Sequence, residues 1–346
     1  MKSGTMLGRL IRRDFSVRAL AAAALIALTA WTAPALGAEK SARKTVVATL
    51  AQIAEPLRVI ADGRADIEAL MGEGVDPHLY RLTRSDVAKL TRADMIVYNG
   101  LHLEAQMLGM MARFSTLKPV VAVSDTLTGG SEKSDNLLPW NGAAHDPHVW
   151  MDPALWARAL GAAVEALAKL DPPNAALYRR NADSYFARLQ EIDRKAKTAI
   201  ASIPRASRAL VTAHDAFGYF GRAFGIDVLA IQGISTESEA GIRRIEELVG
   251  TLADRRISAV FVETSVSERN VRALIEGAAA RGHRVRIGGA LFSDAMGPKG
   301  DYTGTYIGMF DHNVTTIVRA LGGDAPADGF GGQLAESRDA GREGRK

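Results

Sequence analysis

The sequence predicts an α/β protein of two lobes, each with a parallel sheet flanked by helices, joined by one long helix. Three observations predict it. Short β-rich runs alternate with helical ones from residue 44, and the alternation stops near 171 and restarts near 208. Between the two series, residues 172–203 hold no glycine and, past Pro172–Pro173, no proline. A length of 346 residues suits two domains of ordinary size, and 47% hydrophobic residues are enough for two cores.

The elements follow in order. "TVVATLA" (45–51) reads as a strand, "EPLRVIAD" (55–62) as a helix and "ADIEALM" (65–71) as a strand. Ser85 is placed to cap "SDVAKLTRA"; "MIVYNG" (95–100), a helix over 102–113 and "PVVAVS" (119–124) complete the first series. The second runs "RALVTA" (208–213), helix, "IDVLAIQG" (226–233), helix, "AVFVET" (259–264), helix, "VRIGG" (285–289). As one helix, 172–203 would be about 45 Å long at 1.5 Å per residue. The expected division is a signal peptide over 1–37, an N-terminal lobe over 44–171, a linking helix over 172–204, a C-terminal lobe over 205–321 and a disordered tail over 322–346. That tail is rich in glycine and charge and poor in apolar residues.

The net charge of +4 does not point to nucleic acid. Lys2, Arg9, Arg12, Arg13 and Arg18 against Asp14 place all of it in the first 37 residues, and the remainder is neutral. Those residues have a basic start, an apolar run (19–31) and small residues at "APALGA", the parts of a secretory signal cleaved near Gly37 or Ala38. Arg12–Arg13 also resembles a twin-arginine export signal. The chain has no cysteine, hence no disulfide, no thiolate ligand and no residue for a lipoprotein's lipid. The expectation is an exported periplasmic protein, not membrane-anchored after cleavage, acting as a monomer.

Histidine occurs only seven times, yet Asp-Pro-His is written twice, in "VDPHLY" (75–80) and "HDPHVWMDP" (145–153). Proline stiffens the turn that presents the next side chain, which suits a preorganised ligand. His78 follows a strand. His148 precedes a helix that Asp152 would cap, with Pro153 at its first position. His214 follows "LVTA" directly, and Asp294 lies just past the last strand. In open α/β sheets, ligands bind beyond the carboxyl ends of the strands, where all four would sit. Three imidazoles and a carboxylate make a four-residue shell for a transition metal: imidazole suits Zn²⁺, and further carboxylate oxygens favour Mn²⁺. Glu263, at a strand end, is placed either to orient a ligand histidine or to lie on the surface. His102, His145, His283 and His312 fit the shell less well.

The segments "GVDPHLYRLTRSDVAKLTRADMIVYNGLHLE", "DPHVWMDP", "VTAHDAFGYFGRAFGIDVLAIQGISTESEAG" and "IGGALFSDAMG…GTYIGMFDHN" resemble the TroA-like metal-binding receptors of bacterial ABC importers, in order, from about residue 44 to 321. The resemblance implies a metal held in the cleft between two lobes, with His78 and His148 from the first and His214 and Asp294 from the second. It implies a solute-binding protein, not an enzyme, that delivers Zn²⁺ or Mn²⁺ to an ABC permease, with Fe²⁺ behind them. The long His-rich loop of many zinc-specific relatives is missing, since residues 128–144 contain no histidine before Ala144. The alternatives are a three-His zinc hydrolase, for which no HExxH pair or nucleophile elbow is present, and a surface adhesin. From the unperturbed histidine pKa of about 6.5, metal affinity is expected to fall below about pH 6.

Overall fold

The computed structural model describes residues 43–128, 136–140 and 144–334; the export segment expected over 1–37 lies outside them. Each half is built on parallel strands. In the first, β1 (Lys44–Ala48), β2 (Ala65–Ala69), β3 (Met95–Tyr98) and β4 (Val120–Ala122) form one sheet in the order β2-β1-β3-β4. Lys44 pairs with Ala65, Val46 with Met95 and Ile96 with Val120. The crossovers carry α1 (Ala51–Ala61), α2 (Arg84–Arg92) and α3 (Leu108–Ser115). Val46, Val47, Met95, Ile96 and Val97 are buried, as strands covered on both faces require.

The second half pairs β5 (Ala209–Thr212) with β6 (Asp227–Ala230), and β7 (Ala259–Glu263) with β8 (Arg286–Leu291), again in parallel. A register shift falls at Val260/Phe261. Helices α6 (Gly218–Phe224), α7 (Ile242–Asp254) and α8 (Arg269–Ala280) connect these strands, and α9 (Tyr306–Ala320) follows β8.

The first half ends in α4 (Pro153–Leu170), and α5 (Ala175–Ala201) leads from it to the second. The segment expected as one helix over 172–203 opens instead with a 3₁₀ turn at Pro172–Asn174. The 27 residues of α5 bury Tyr178, Ala182, Tyr185, Leu189, Ile192, Ala196 and Ala199 at alternating steps of four and three, one face of a helix. This face joins one hydrophobic cluster that runs from Val46 in β1 to Ile317 in α9, so the two halves share a core along α5. A second cluster, around Val211, Leu248, Val260 and Leu274, belongs to the C-terminal sheets alone.

Two local expectations need correction. Helix α2 is capped by Thr83, not Ser85: the Thr83 hydroxyl accepts from Asp86 N, and the Asp86 carboxylate accepts from Thr83 N. The reciprocal pair satisfies two orphan donors, which a single Ser85 would not. The expected disordered tail is packed up to residue 334. Ala325 and Leu334 are buried, and Phe330 N donates to the buried Asp311 at 3.0 Å. Few apolar residues suffice there because they land on a prepared surface of α5 and α9; residues 335–346 lie outside the described residues. Among the described residues no helix is long and apolar enough to cross a membrane.

Candidate metal centre

The carboxyl ends of the strands bring His78, His148, His214 and Asp294 together. One ligand atom from each lies within 4.8 Å of all the others, and all four residues are buried. His78 stands in the loop after β2, His148 just ahead of α4, His214 two residues past β5 and Asp294 three past β8. Asp152 caps α4 as expected, accepting from Ala154 N and Leu155 N at 3.0 and 3.1 Å, with Pro153 at the first helical position.

The two Asp-Pro-His turns are built alike. In each, the aspartate folds back to accept the backbone N–H of the histidine two residues on: Asp76 from His78, and Asp146 from His148, both at 2.9 Å. The second turn is also held by the Asn99 side chain, which donates to Pro147 O at 3.0 Å. Asp294 sits on a loop tied to the N-terminal half, where Gln52 donates to Asp294 O at 2.7 Å and Trp150 to Ser293 O at 2.9 Å.

Carboxylates decide which nitrogen each imidazole presents. Nδ1 of His148 lies 2.7 Å from Asp146 Oδ1, and Nδ1 of His214 lies 2.5 Å from Glu263 Oε2. A carboxylate oxygen there accepts, so each Nδ1 carries the proton and each Nε2 is turned inward. The Nε2 atoms of His78 and His148 are 3.2 Å apart. His148 Nε2 is 3.4 Å from Asp294 Oδ1, and His214 Nε2 is 3.2 Å from Asp294 Oδ2. The last approach lacks hydrogen-bond alignment: His214 Nε2 and both oxygens of Asp294 are buried with no hydrogen-bond partner. Buried polar atoms left so cost about 1–3 kcal/mol each, unless a cation at their centre satisfies them.

The charges agree with that geometry. Burial lowers the affinity of His148 for a proton, but Asp146 and Asp294 outweigh it and bring its pKa up to about 9. His214 is likewise opposed by burial yet raised well above the ordinary value by Glu263 and Asp294. Burial would raise Asp294, and the two histidines instead hold it well below the usual carboxylate range. His78 is lowered to about 3, chiefly by burial. Positive charge therefore gathers in the middle of the cluster, where a divalent ion would place it.

Sequence reasoning left open whether Glu263 faces a ligand or the surface; it is buried, its Oε1 also accepting His214 N at 2.8 Å. Sequence reasoning gave Asp76 and Asp146 no role, although their placement two residues before a histidine, written twice, is a signal. Gln52 carried no signal at all. His283 and His312 stand apart, each bonded to a backbone carbonyl, and His102 lies in a turn at φ +64°.

The chain is similar to known metal-binding proteins over most of its length. Residues 46–320 match the family described as ZnuA, zinc-uptake complex component A, periplasmic. The chain is 43% identical over 299 residues to the manganese-binding lipoprotein MntA of Bacillus subtilis, covering 86% of this chain and 96% of that one. It is 45% identical over 276 residues to the zinc-binding protein TroA of Treponema pallidum, covering 80% and 88%. The solved structure of T. pallidum TroA superposes with a TM-score of 0.77, covering 81% of this chain and 99% of that one.

These names correct the expected localisation. MntA is named a lipoprotein, as are several streptococcal relatives, so the expectation of an unanchored protein runs against the names of these relatives. Counting cysteines addresses one chemistry of attachment only. It does not touch the apolar run at 19–31, which lies outside the described residues.

Proposed function

Because the chain belongs to the ZnuA family, we propose that it captures one divalent transition metal ion, Zn²⁺ or Mn²⁺, and delivers it to the permease of an ABC importer. His78, His148, His214 and Asp294 are the ligands in this reading. The observation that carries it is the buried convergence of three Nε2 atoms and a carboxylate whose oxygens have no other partner. Residues 44–171 and 205–321 act as the two lobes, with 172–204 between them, so release requires separating His78 and His148 from His214 and Asp294.

The protein acts as a receptor, not as a metal hydrolase. A hydrolase needs an open metal position and a general base beside the bound water. Here Asp146 and Glu263 are committed to histidines, and four residues surround the centre. The donor set admits both metals. Three imidazoles suit Zn²⁺, and an Asp294 binding through both oxygens would supply the extra donor that Mn²⁺ accepts. The names of the relatives divide the same way, zinc for TroA and manganese for MntA; Fe²⁺ stands behind these two.

The test is equilibrium titration of chelator-stripped protein with Zn²⁺ and Mn²⁺, separately and in competition, beside His214→Ala. One tight equivalent, lost in the variant, is the expected result. No tight binding of either ion overturns the reading.

A further inference from the structure

The three imidazoles are not held alike. Asp146 stands behind Nδ1 of His148 and Glu263 behind Nδ1 of His214, whereas Nδ1 of His78 meets no hydrogen-bonding group among the described residues. His78 is held through its backbone instead. Its N–H donates to Asp76 Oδ1, and the other oxygen of that carboxylate accepts from the Thr236 hydroxyl at 2.6 Å.

Thr236 belongs to the C-terminal half, in a stretch between β6 and α7 with neither helix nor strand. The next residue, Glu237, accepts from the Gln106 side chain at 3.0 Å, so one irregular loop touches the N-terminal half twice. The other bonds between the halves beside the site are of a different kind. Gln52 to Asp294 O and Trp150 to Ser293 O are buried and end on backbone carbonyls. The Thr236–Asp76 bond is only part-buried and joins two side chains, so water can replace it at lower cost when the halves part.

We propose that Thr236 is a positioning residue for metal release: through Asp76 its hydroxyl keeps the His78 turn on the metal, and His78 is the first ligand to leave when that bond opens. The inference rests on the receptor reading above. It assigns the order of ligand loss to an asymmetry in what stands behind each histidine, since a ring locked by a carboxylate keeps its aim while an unlocked one turns away. Loss of the hydroxyl then speeds dissociation and leaves capture unchanged, because weakening a contact that holds a bound complex together acts mainly on its dissociation rate.

The test is stopped-flow dissociation of Zn²⁺ into excess chelator, with association followed separately, in wild type, Thr236→Val and Thr236→Ser. Valine keeps the shape and removes the hydroxyl; roughly tenfold faster dissociation with unchanged association is expected, as for loss of one hydrogen bond to a charged group. Serine restores the hydroxyl and returns the wild-type rate. Equal rates in wild type and the valine variant overturn the proposal. So does a serine variant as fast as valine, because a hydroxyl restored without effect would not be what holds the turn. Wild-type protein that binds neither Zn²⁺ nor Mn²⁺ removes the receptor reading itself, an outcome distinct from both.

Discussion

Glu263 holds His214 at two points with two different oxygens: Oε1 accepts the backbone N–H at 2.8 Å, and Oε2 faces ring Nδ1 at 2.5 Å. Main chain and imidazole are thereby fixed by a single side chain at the end of β7. Glu263→Gln cannot reproduce this. Its one carbonyl oxygen can accept at only one point, and its NH₂ then meets a second donor. Affinity for Zn²⁺ is expected to drop roughly 10–100-fold, as for other partners behind a metal-bound histidine. Competition with a chromophoric chelator measures it, and a Kd equal to the wild type's would deny Glu263 this role.

Asp146 holds His148 differently, and the difference predicts a ranking. Both contacts, to His148 N and Nδ1, go to the same oxygen, Oδ1. In Asp146→Asn that oxygen survives as a carbonyl, so geometry persists and only charge is lost; Asp146→Ala loses both. The expected order of affinity is wild type, then asparagine, then alanine, the last lower by about 10–100-fold. An asparagine variant as weak as alanine would show that charge, and not orientation, is what Asp146 supplies.

Much of this was legible in the sequence, and the parts that were not share a cause. Strands β1 to β8 announced themselves as apolar runs between helical stretches, and His78, His148, His214 and Asp294 all fall just past strand ends or ahead of a capped helix. Local pattern carries such features. The contacts of Gln52 with Asp294 O and of Thr236 with Asp76 span 242 and 160 residues, and no local pattern encodes a partner that far away. The C-terminal segment was misread for the same reason: its composition is that of a tail, but its docking surface lies on α5 and α9.

That docking carries its own prediction. Leu334 is only 2% exposed, although it lies beyond every long helix. Leu334→Ala is expected to destabilise the protein by about 2–3 kcal/mol, the lower part of the range for a buried leucine because a chain end relaxes readily. Urea unfolding monitored by tryptophan fluorescence measures this, and an unchanged midpoint would mean that the segment contributes nothing to the core.

Proton release should accompany metal capture over a wider range than the unperturbed histidine pKa suggests. In the metal-free protein at pH 7, His148 (raised to about 9) and His214 (raised well above its ordinary value) are both protonated, while His78 and Asp294 are not. A metal must displace two protons, so affinity should fall about 100-fold per pH unit through neutrality rather than only below pH 6. Calorimetry in buffers of differing ionisation enthalpy counts these protons directly. A count near zero at pH 7 would mean that the two histidines are neutral before metal arrives.

The same protons make the metal-free fold sensitive to alkali. The pKa of His148 is raised on folding from 6.5 to about 9, so its proton stabilises the folded state fully below pH 6.5, and that contribution is lost as pH rises through 9. His214 acts in the same direction. In the metal-bound protein the ion replaces both protons, and the same carboxylates are neutralised at any pH in this window. The melting temperature of chelator-stripped protein should therefore fall by several degrees between pH 6.5 and 9.5, a loss of a few kcal/mol spread over a chain of this size. That of the Zn²⁺-bound protein should hold, so the stabilisation by metal grows with pH. Parallel decline of the two forms would place the alkaline sensitivity elsewhere in the molecule and remove the protonated histidine pair as its source.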